Sequence, residues 1–179
     1  MTTQLDKYAR DAATWKNLAD LNYDAAQTLF LHAIEKPGLY FVAVTLGHIA
    51  LEMLLKTALI CNGMTAFNPK NIKSLDPSVG LKSDECVWGH DLVVLATTLA
   101  TRCPDFDLSA EIYARTALLK MPMTLHEGLE LFNPFFSELR YPQELKNIAG
   151  FGEDEGRMLE ELACQIEPFI STKPNRIRR

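Results

Sequence analysis

The sequence lacks the short motifs by which most enzymes can be recognised. It contains no G-x-x-x-x-G-K-S/T phosphate loop, no G-x-G-x-x-G after a predicted strand, no H-E-x-x-H and no G-x-S-x-G. Their absence argues against P-loop nucleotidases, dinucleotide-dependent enzymes, zinc metalloproteases and serine hydrolases of the usual kinds. The sequence also contains no internal repeat and no low-complexity segment. It has no convincing run in which apolar and polar residues alternate, as they do in a β-strand. These absences argue against solenoids and sheet proteins.

Cysteine is scarce, and no metal-binding pattern is present. The four cysteines form no C-x-x-C pair, and neither they nor the four histidines stand at zinc-ligand spacing. We therefore predict no metal site and no cofactor. We also expect reduced thiols that mostly fill core space. The cysteines are Cys61, Cys86, Cys103 and Cys164.

Strong charge of one sign and long apolar runs are also absent. The net charge of -5 argues against a protein that binds nucleic acid over its whole surface, although a local basic patch remains possible. The polar N-terminus lacks the apolar core of a signal peptide. His48, Glu52 and Lys56 interrupt the most apolar stretch before it reaches the roughly 18 residues of a membrane span. We predict a cytoplasmic protein without membrane contact.

The chain is organised around the stretch Phe41 to Cys61, which is apolar almost all the way round. A helix of that kind is buried on most sides. Its charged or strongly polar members, His48, Glu52 and Lys56, fall four residues apart and so share one helical face. We predict the central helix of a bundle, with this one polar seam.

In most of the remaining chain, apolar residues recur at helical spacing, and proline or glycine marks where each helix ends. We expect an inner stripe on the first helix at Trp15, Leu18, Asn22, Ala25, Leu29 and Ala33. The sequence predicts an all-α, up-and-down helical bundle of five to six helices. Besides the central one, the predicted helices are 12–35, 91–102, 109–120, 124–140 with a kink at Pro134, and 153–170.

Composition indicates a single helical domain over residues 1–172. The 179 residues, 47% of them hydrophobic, are enough for one core. Residues 64–88 are predicted to be a loop insertion, either a surface feature or a lid over the polar seam. The basic tail, residues 173–179, is expected to be disordered.

The polar seam is the main candidate for chemistry. Glu52 precedes Lys56 by four residues, the favourable order for a helical ion pair, and buried charges need partners. Arg140 is the expected external partner of Glu52. Two interpretations stay open: a structural network in which His48 and Glu52 help fix helix register, and an anion or nucleotide site built from Lys56, His90 and Arg140.

Three motifs in a fixed order resemble those of HEPN domains (higher eukaryotes and prokaryotes nucleotide-binding). They are L-E-M-L-L-K-T-A-L at 51–59, G-H-D-L at 89–92 and L-R-Y-P at 139–142. The resemblance spans roughly residues 13–170. It implies an all-α bundle that is usually dimeric. HEPN members include ribonuclease toxins, partners of small nucleotidyltransferases and non-catalytic nucleotide- or RNA-binding modules.

One departure from the ribonuclease members affects the functional expectation. They carry an Arg followed a few residues later by a His, and the pair forms the catalytic core across a dimer interface. Here Arg140 is followed by Y-P-Q-E-L-K, and no His occurs after His126. The acid–base His is thus missing from its expected place, and His90 is the candidate to replace it in space.

The resemblance favours a non-catalytic nucleotide- or RNA-binding module in a prokaryotic defence or toxin-related system. Its expected ligand-binding residues are Lys56, His90, Arg140 and Tyr141. The first alternative is a metal-independent ribonuclease toxin, with Arg140 and His90 as catalytic candidates. The second is a structural homodimer that docks another protein. A homodimer is expected in any case, since Phe132, Phe135, Phe136 and Tyr141 cannot all face one core. A nucleotidyltransferase-like antitoxin is the expected protein partner.

Overall fold

The computed structural model describes residues 12–64, 89–112, 122–133 and 153–170, and most of them are helical. The prediction of an all-α protein is confirmed. The helices are α1 (Ala12–Ala33), α2 (Leu39–Cys61), α3 (Leu92–Arg102), α4 (Leu125–Phe132) and α5 (Glu153–Ile166), followed by a 3-10 turn at Glu167–Phe169. Two short strands, β1 (Glu111–Ile112) and β2 (Met123–Thr124), pair antiparallel.

Helices α1 and α2 form a hairpin because the chain between them contains a proline and a glycine. Pro37 and Gly38 both disfavour continued helix. The turn is closed by Leu39 N donating to the Lys36 carbonyl at 2.9 Å. At its other end α2 stops at Asn62-Gly63 as predicted, and Gly63 takes a φ of +85° that suits glycine.

Helix α2 is the centre of the bundle, as predicted, and packs against α1, α3, α4 and α5. Its Leu51, Leu55 and Leu59 are fully buried. By length and hydropathy α2 could span a membrane after all, despite its polar seam. However, 72% of its most apolar window is buried inside the protein, which is also what the core helix of a bundle shows.

Of the stripe predicted on α1, Ala33 is fully buried and Leu29 packs partly buried against the core, but the other buried residues lie about one position further along the chain. Ala19, Ala26 and Phe30 are buried, whereas Leu18 is exposed. Gln27 also turns inward, since its Nε2 donates to the Gly156 carbonyl of α5 at 2.8 Å. The buried face of α1 carries small alanines, which allow neighbouring helices to approach closely. Apolar residues also occur on the adjacent, exposed face of α1. Periodicity alone therefore could not choose between two adjacent stripes.

The predicted helix 109–120 is wrong where it can be compared with the structure. Asp107 Oδ1 accepts hydrogen bonds from both the backbone N and the Oγ of Ser109, a local turn that competes with helix. The carbonyls of Leu108 and Ala110 accept from the first N–H groups of α4. These carbonyls are therefore used to begin α4. Residues 111–112 become β1, and Ile112 is buried.

The last helix and the cysteines also differ in detail from expectation. Helix α5 ends at Ile166 because Pro168 lacks the N–H that an α-helix would require. Cys164 is exposed, and Cys61 and Cys103 are half-buried. The expectation that the thiols fill the core is therefore wrong for Cys164. None of these three is in a disulfide.

Several predicted features lie outside the described residues. These are almost all of the 64–88 insertion, most of the 109–120 helix, the Pro134 kink with the rest of the fifth helix, Cys86 and the 173–179 tail.

Candidate functional site

The polar seam of α2 lies in the interior of the bundle. His48, Glu52 and Lys56 are 0%, 2% and 2% exposed. Charged groups are rarely taken out of water unless they are paired and hydrogen-bonded. The partners of these three side chains therefore define the site.

Lys56 is paired inside the protein. Its Nζ donates to Glu52 Oε1 at 2.6 Å. The same ammonium lies 5.5 Å from the ring centroid of Trp15 on α1, which is within cation–π range. Lys56 was predicted to contact a ligand, but in this position its charge acts on Glu52 rather than on the surface. Trp15 was expected only as a core residue.

The second oxygen of Glu52 holds an exposed histidine. His90 Nδ1 lies 2.9 Å from Glu52 Oε2. Because a carboxylate only accepts hydrogen bonds, His90 Nδ1 is the donor. The His90 side chain is 44% exposed, although the carboxylate beneath it is buried. The site thus joins a buried carboxylate to an imidazole at the surface.

The G-H-D-L motif places His90 over Glu52. Gly89 has a φ of +129°, a conformation that side chains rarely allow, so the chain turns here on a glycine. Asp91 is the N-cap of α3, as predicted, and its Oδ1 accepts from Val93 N at 3.0 Å and Val94 N at 3.1 Å. His90 is therefore held between a glycine turn and a capped helix.

Asn133, which we did not predict as part of the site, fixes this turn from α4. Its Nδ2 donates to Asp91 Oδ1 at 3.1 Å, and its Oδ1 accepts from Leu92 N at 2.8 Å. The first N–H groups of α3 are thus used by Asn133 and Asp91. An anion beside His90 would be bound by side chains and not by the helix terminus. The only sequence signal for Asn133 is its position before Pro134.

His48 is buried as a neutral ring. Its Nδ1 donates to the Phe132 carbonyl at 2.9 Å, and its Nε2 lies 3.8 Å from Glu52 Oε2. Burial lowers the pKa of His48 below the ordinary value of 6.5. The Phe132 carbonyl and the Glu52 carboxylate act in the opposite direction without cancelling that effect. His48 therefore adds no positive charge to the site near neutral pH.

Three side chains converge on Glu52, and their charges determine what the site can do. Lys56 offsets the charge of the carboxylate, so a proton on His90 would make the cluster net positive. A histidine in this position can donate to an anion when protonated, or accept a proton when neutral. Anion binding and acid–base chemistry are both within its reach.

Two of the predicted site residues, Arg140 and Tyr141, lie outside the described residues. Lys56 already balances the charge of Glu52, and His90 occupies the other carboxylate oxygen. The expectation that Arg140 pairs with Glu52 stays a prediction.

No metal centre is formed by the part of the chain that the structure describes. Within it, no group of three or more His, Cys, Asp or Glu side chains could hold a metal ion. His48 and His90 do face the same carboxylate, Glu52. The ammonium of Lys56 on that carboxylate would oppose a second cation.

Comparisons with known proteins found no relative of this chain. No protein-family model, no curated protein and no solved structure matches it. The resemblance to HEPN domains therefore rests on the three sequence motifs alone.

Proposed function

We propose that this chain is a HEPN-like nucleotide- or RNA-binding module, non-catalytic, that acts in a prokaryotic defence or toxin-related system. The observation that carries the proposal is the exposed imidazole of His90 hydrogen-bonded to the buried carboxylate of Glu52. In this proposal the protonated ring of His90 contacts a phosphate group. No cofactor takes part.

The energetics of the site support a functional role. A buried ion pair is weak evidence for stability, because apolar residues of similar volume often serve as well or better. Glu52 and Lys56 form such a pair, and its carboxylate also supports a side chain at the surface. A seam needed only for packing would not require His90 to be held over it.

Arg140 and Tyr141 enter the proposal through the resemblance. The planar guanidinium of Arg140 would bind phosphate through two parallel hydrogen bonds, and Tyr141 would provide a stacking face. Lys56 contributes indirectly, through Glu52, rather than as a ligand contact. A homodimer and a nucleotidyltransferase-like partner are further parts of this proposal, as are a cytoplasmic location and an up-and-down bundle.

Thermal unfolding with and without ligand tests the proposal. We would compare the wild type, His90→Gln and the matched control His126→Gln, each with AMP and with a short 5′-phosphorylated RNA. A ligand at a hundred times its Kd stabilises the folded state by about 2.7 kcal/mol. We expect that gain in the wild type and the control, and its loss in His90→Gln. Equal stabilisation of all three proteins, or none in the wild type, would refute the proposal.

The same Glu52–His90 contact favours a second candidate, a metal-independent ribonuclease. A histidine held by a carboxylate is a common acid–base arrangement. His90 would exchange the proton, and Arg140 would stabilise the developing charge on phosphorus. RNA cleavage in the presence of EDTA, abolished by Arg140→Ala and by His90→Gln, would select this candidate. Nucleotide-dependent stabilisation without turnover would select the binding module.

A third candidate, a homodimer that docks another protein, is favoured by a different observation. Large apolar side chains are exposed along the α1–α2 hairpin, and exposed apolar patches often mark interaction surfaces. A protein that sediments as a monomer at micromolar concentration and above would contradict the expected dimer. The exposed residues are Leu18, Leu21, Leu31, Ile34, Phe41 and Val42.

A further inference from the structure

Four side chains from three parts of the bundle form a continuous relay, which we define as Trp15, Lys56, Glu52 and His90. Trp15 comes from α1, Lys56 and Glu52 come from α2, and His90 precedes α3. The contacts are 5.5 Å from Lys56 Nζ to the Trp15 ring centroid, 2.6 Å from Nζ to Glu52 Oε1, and 2.9 Å from Oε2 to His90 Nδ1. Only the last member is substantially exposed.

The two carboxylate oxygens of Glu52 contact different members of this relay. Lys56 holds Oε1, and this restricts rotation of the carboxylate about its last bond. Oε2 is thereby kept facing His90 Nδ1. Lys56 is itself enclosed at 2% exposure, so it has few other positions to adopt. The orientation of Glu52 therefore depends on Lys56 as well as on His90.

The orientation of Glu52 determines which nitrogen of His90 carries the hydrogen. A neutral imidazole has one donor and one acceptor nitrogen, and the hydrogen bond at one nitrogen sets the role of the other. Since Glu52 Oε2 accepts from Nδ1, the neutral ring keeps its hydrogen on Nδ1 and its lone pair on Nε2. The protonated ring presents Nε2–H as its second donor.

We propose that Glu52 and Lys56 are positioning residues that keep His90 Nδ1–H on the carboxylate in both protonation states. This fixes the Nδ1–H tautomer of the neutral ring and leaves the Nε2–H of the protonated ring to meet the phosphate-bearing ligand. Among the described residues, the other ionisable groups beside His90 are His48, which is buried and neutral, and Asp91, whose Oδ1 caps α3. The part of this inference that concerns the ligand rests on the proposed function. The part that concerns the tautomer does not.

The chain supplies an internal control for the tautomer. His126 is 41% exposed, and its Nδ1 lies 3.7 Å from Glu130 Oε2, a carboxylate that is itself 57% exposed. This contact is too long for a hydrogen bond. Solvent competes for both groups, so Glu130 should not fix the tautomer of His126.

The test is two-dimensional NMR of the full chain labelled with ¹⁵N in its histidine rings, recorded at a pH where the rings are neutral. Ring signals are assigned with His90→Gln and His126→Gln. We expect His90 to be held as Nδ1–H in the wild type and to become a mixture of tautomers in Glu52→Gln and in Lys56→Met. Glu130→Gln should leave the signals of His90 unchanged. An unaltered His90 tautomer in Glu52→Gln would overturn the proposal.

A second readout separates positioning from direct contact. Affinity for AMP should fall about tenfold in both Glu52→Gln and Lys56→Met, in parallel with the loss of the tautomer. A loss of affinity in Lys56→Met with the tautomer intact would show that Lys56 acts on the ligand directly, and would overturn its positioning role. The double variant Glu52→Gln/Lys56→Met removes both charges together. It leaves no unpaired buried charge, so it can be used if Lys56→Met does not fold. Because Lys56 acts through Glu52 in this proposal, the double variant should bind AMP as Glu52→Gln does, and a further loss of affinity would show direct contact of Lys56 with the ligand.

Failure of the two ideas can be told apart. If the wild type does not bind AMP or 5′-phosphorylated RNA, the proposed function is refuted, whereas the tautomer results still decide the positioning role. If the ligand binds and Glu52→Gln leaves both tautomer and affinity unchanged, the positioning role is refuted and the binding module stands.

Discussion

The protein contains two histidine–glutamate pairs that differ mainly in the burial of the carboxylate. His90 and His126 are almost equally exposed, at 44% and 41%. Glu52 is 2% exposed and lies 2.9 Å from His90, whereas Glu130 is 57% exposed and lies 3.7 Å from His126. The first pair joins residues 38 positions apart, and the second lies within α4 at a spacing of four.

The comparison shows what converts a surface histidine into a candidate site. An exposed ion pair gains little, because water competes for both groups and two side chains lose freedom. A buried carboxylate has few competitors, so it holds its partners in one geometry. Glu52 is further held by Lys56, and Glu130 has no corresponding lysine contact among the described residues.

The largest effect is expected from removing one member of the buried pair. Glu52→Ala leaves the ammonium of Lys56 buried without its carboxylate. It should lower the free energy of unfolding by about 3–5 kcal/mol. The matched change Glu130→Ala should alter it by no more than about 0.5 kcal/mol. Urea denaturation at neutral pH measures both.

A double replacement checks the physical reason for that effect. Glu52→Leu combined with Lys56→Met removes both charges and keeps most of the volume, so much of the lost stability should return. If the double variant is as unstable as Glu52→Ala, packing and not charge accounts for the loss.

The helix caps beside the two histidines give the next comparison. Asp91 caps α3 next to His90, and Thr124 caps α4 next to His126 through a capping box with Glu127. Replacing either cap by Ala should cost about 1 kcal/mol of stability. Asp91→Ala should also weaken ligand binding, because the turn that carries His90 loses its anchor, whereas Thr124→Ala should not. Equal binding by both variants would show that the cap does not position His90.

The pH dependence of stability tests the neutral state of His48. Its pKa is lowered by burial, so the unfolded chain binds more protons as the pH falls through about 6.5. His48 should therefore reduce stability between about pH 7 and pH 5. His48→Asn keeps a donor for the Phe132 carbonyl and cannot titrate, so its stability should fall less steeply over this range.

The smallest stability effects are expected from the two exposed rings themselves. His90→Gln leaves the Glu52–Lys56 pair intact, and His126→Gln removes only a long contact at the surface. Both should stay within about 1 kcal/mol of the wild type. The ligand response of each variant is measured as the shift of its own unfolding curve, so that it reports binding and not the small difference in stability.

Much of the fold could be predicted because stop signals and periodicity are local. The boundaries of α2, with Pro37-Gly38 before it and Asn62-Gly63 after it, follow from residues next to each other in sequence. It was harder to predict which face of each helix is buried. The buried stripe of α1 is set by its packing against α2 and α5, and the first N–H groups of α4 donate hydrogen bonds to the carbonyls of Leu108 and Ala110 just before β1. Both are decided by distant partners.

The candidate site could be predicted only in part, for the same reason. Spacing alone grouped Glu52 with Lys56, and the apolar surroundings indicated burial. The contact between Glu52 and His90 depends on how α3 packs against α2, and nothing in their local sequence reports it. Asn133 contributes hydrogen bonds from the end of α4, and Trp15 contributes a cation–π contact from α1. The spacing of apolar residues in the sequence predicts neither contact.

Two double-mutant cycles measure how strongly each carboxylate is coupled to its histidine. One cycle combines Glu52→Gln with His90→Gln, and the other combines Glu130→Gln with His126→Gln, all by urea denaturation. The coupling free energy should be about 1 kcal/mol for the buried carboxylate and close to zero for the exposed pair. Equal coupling in the two cycles would contradict the claim that Glu52 holds His90 at the surface.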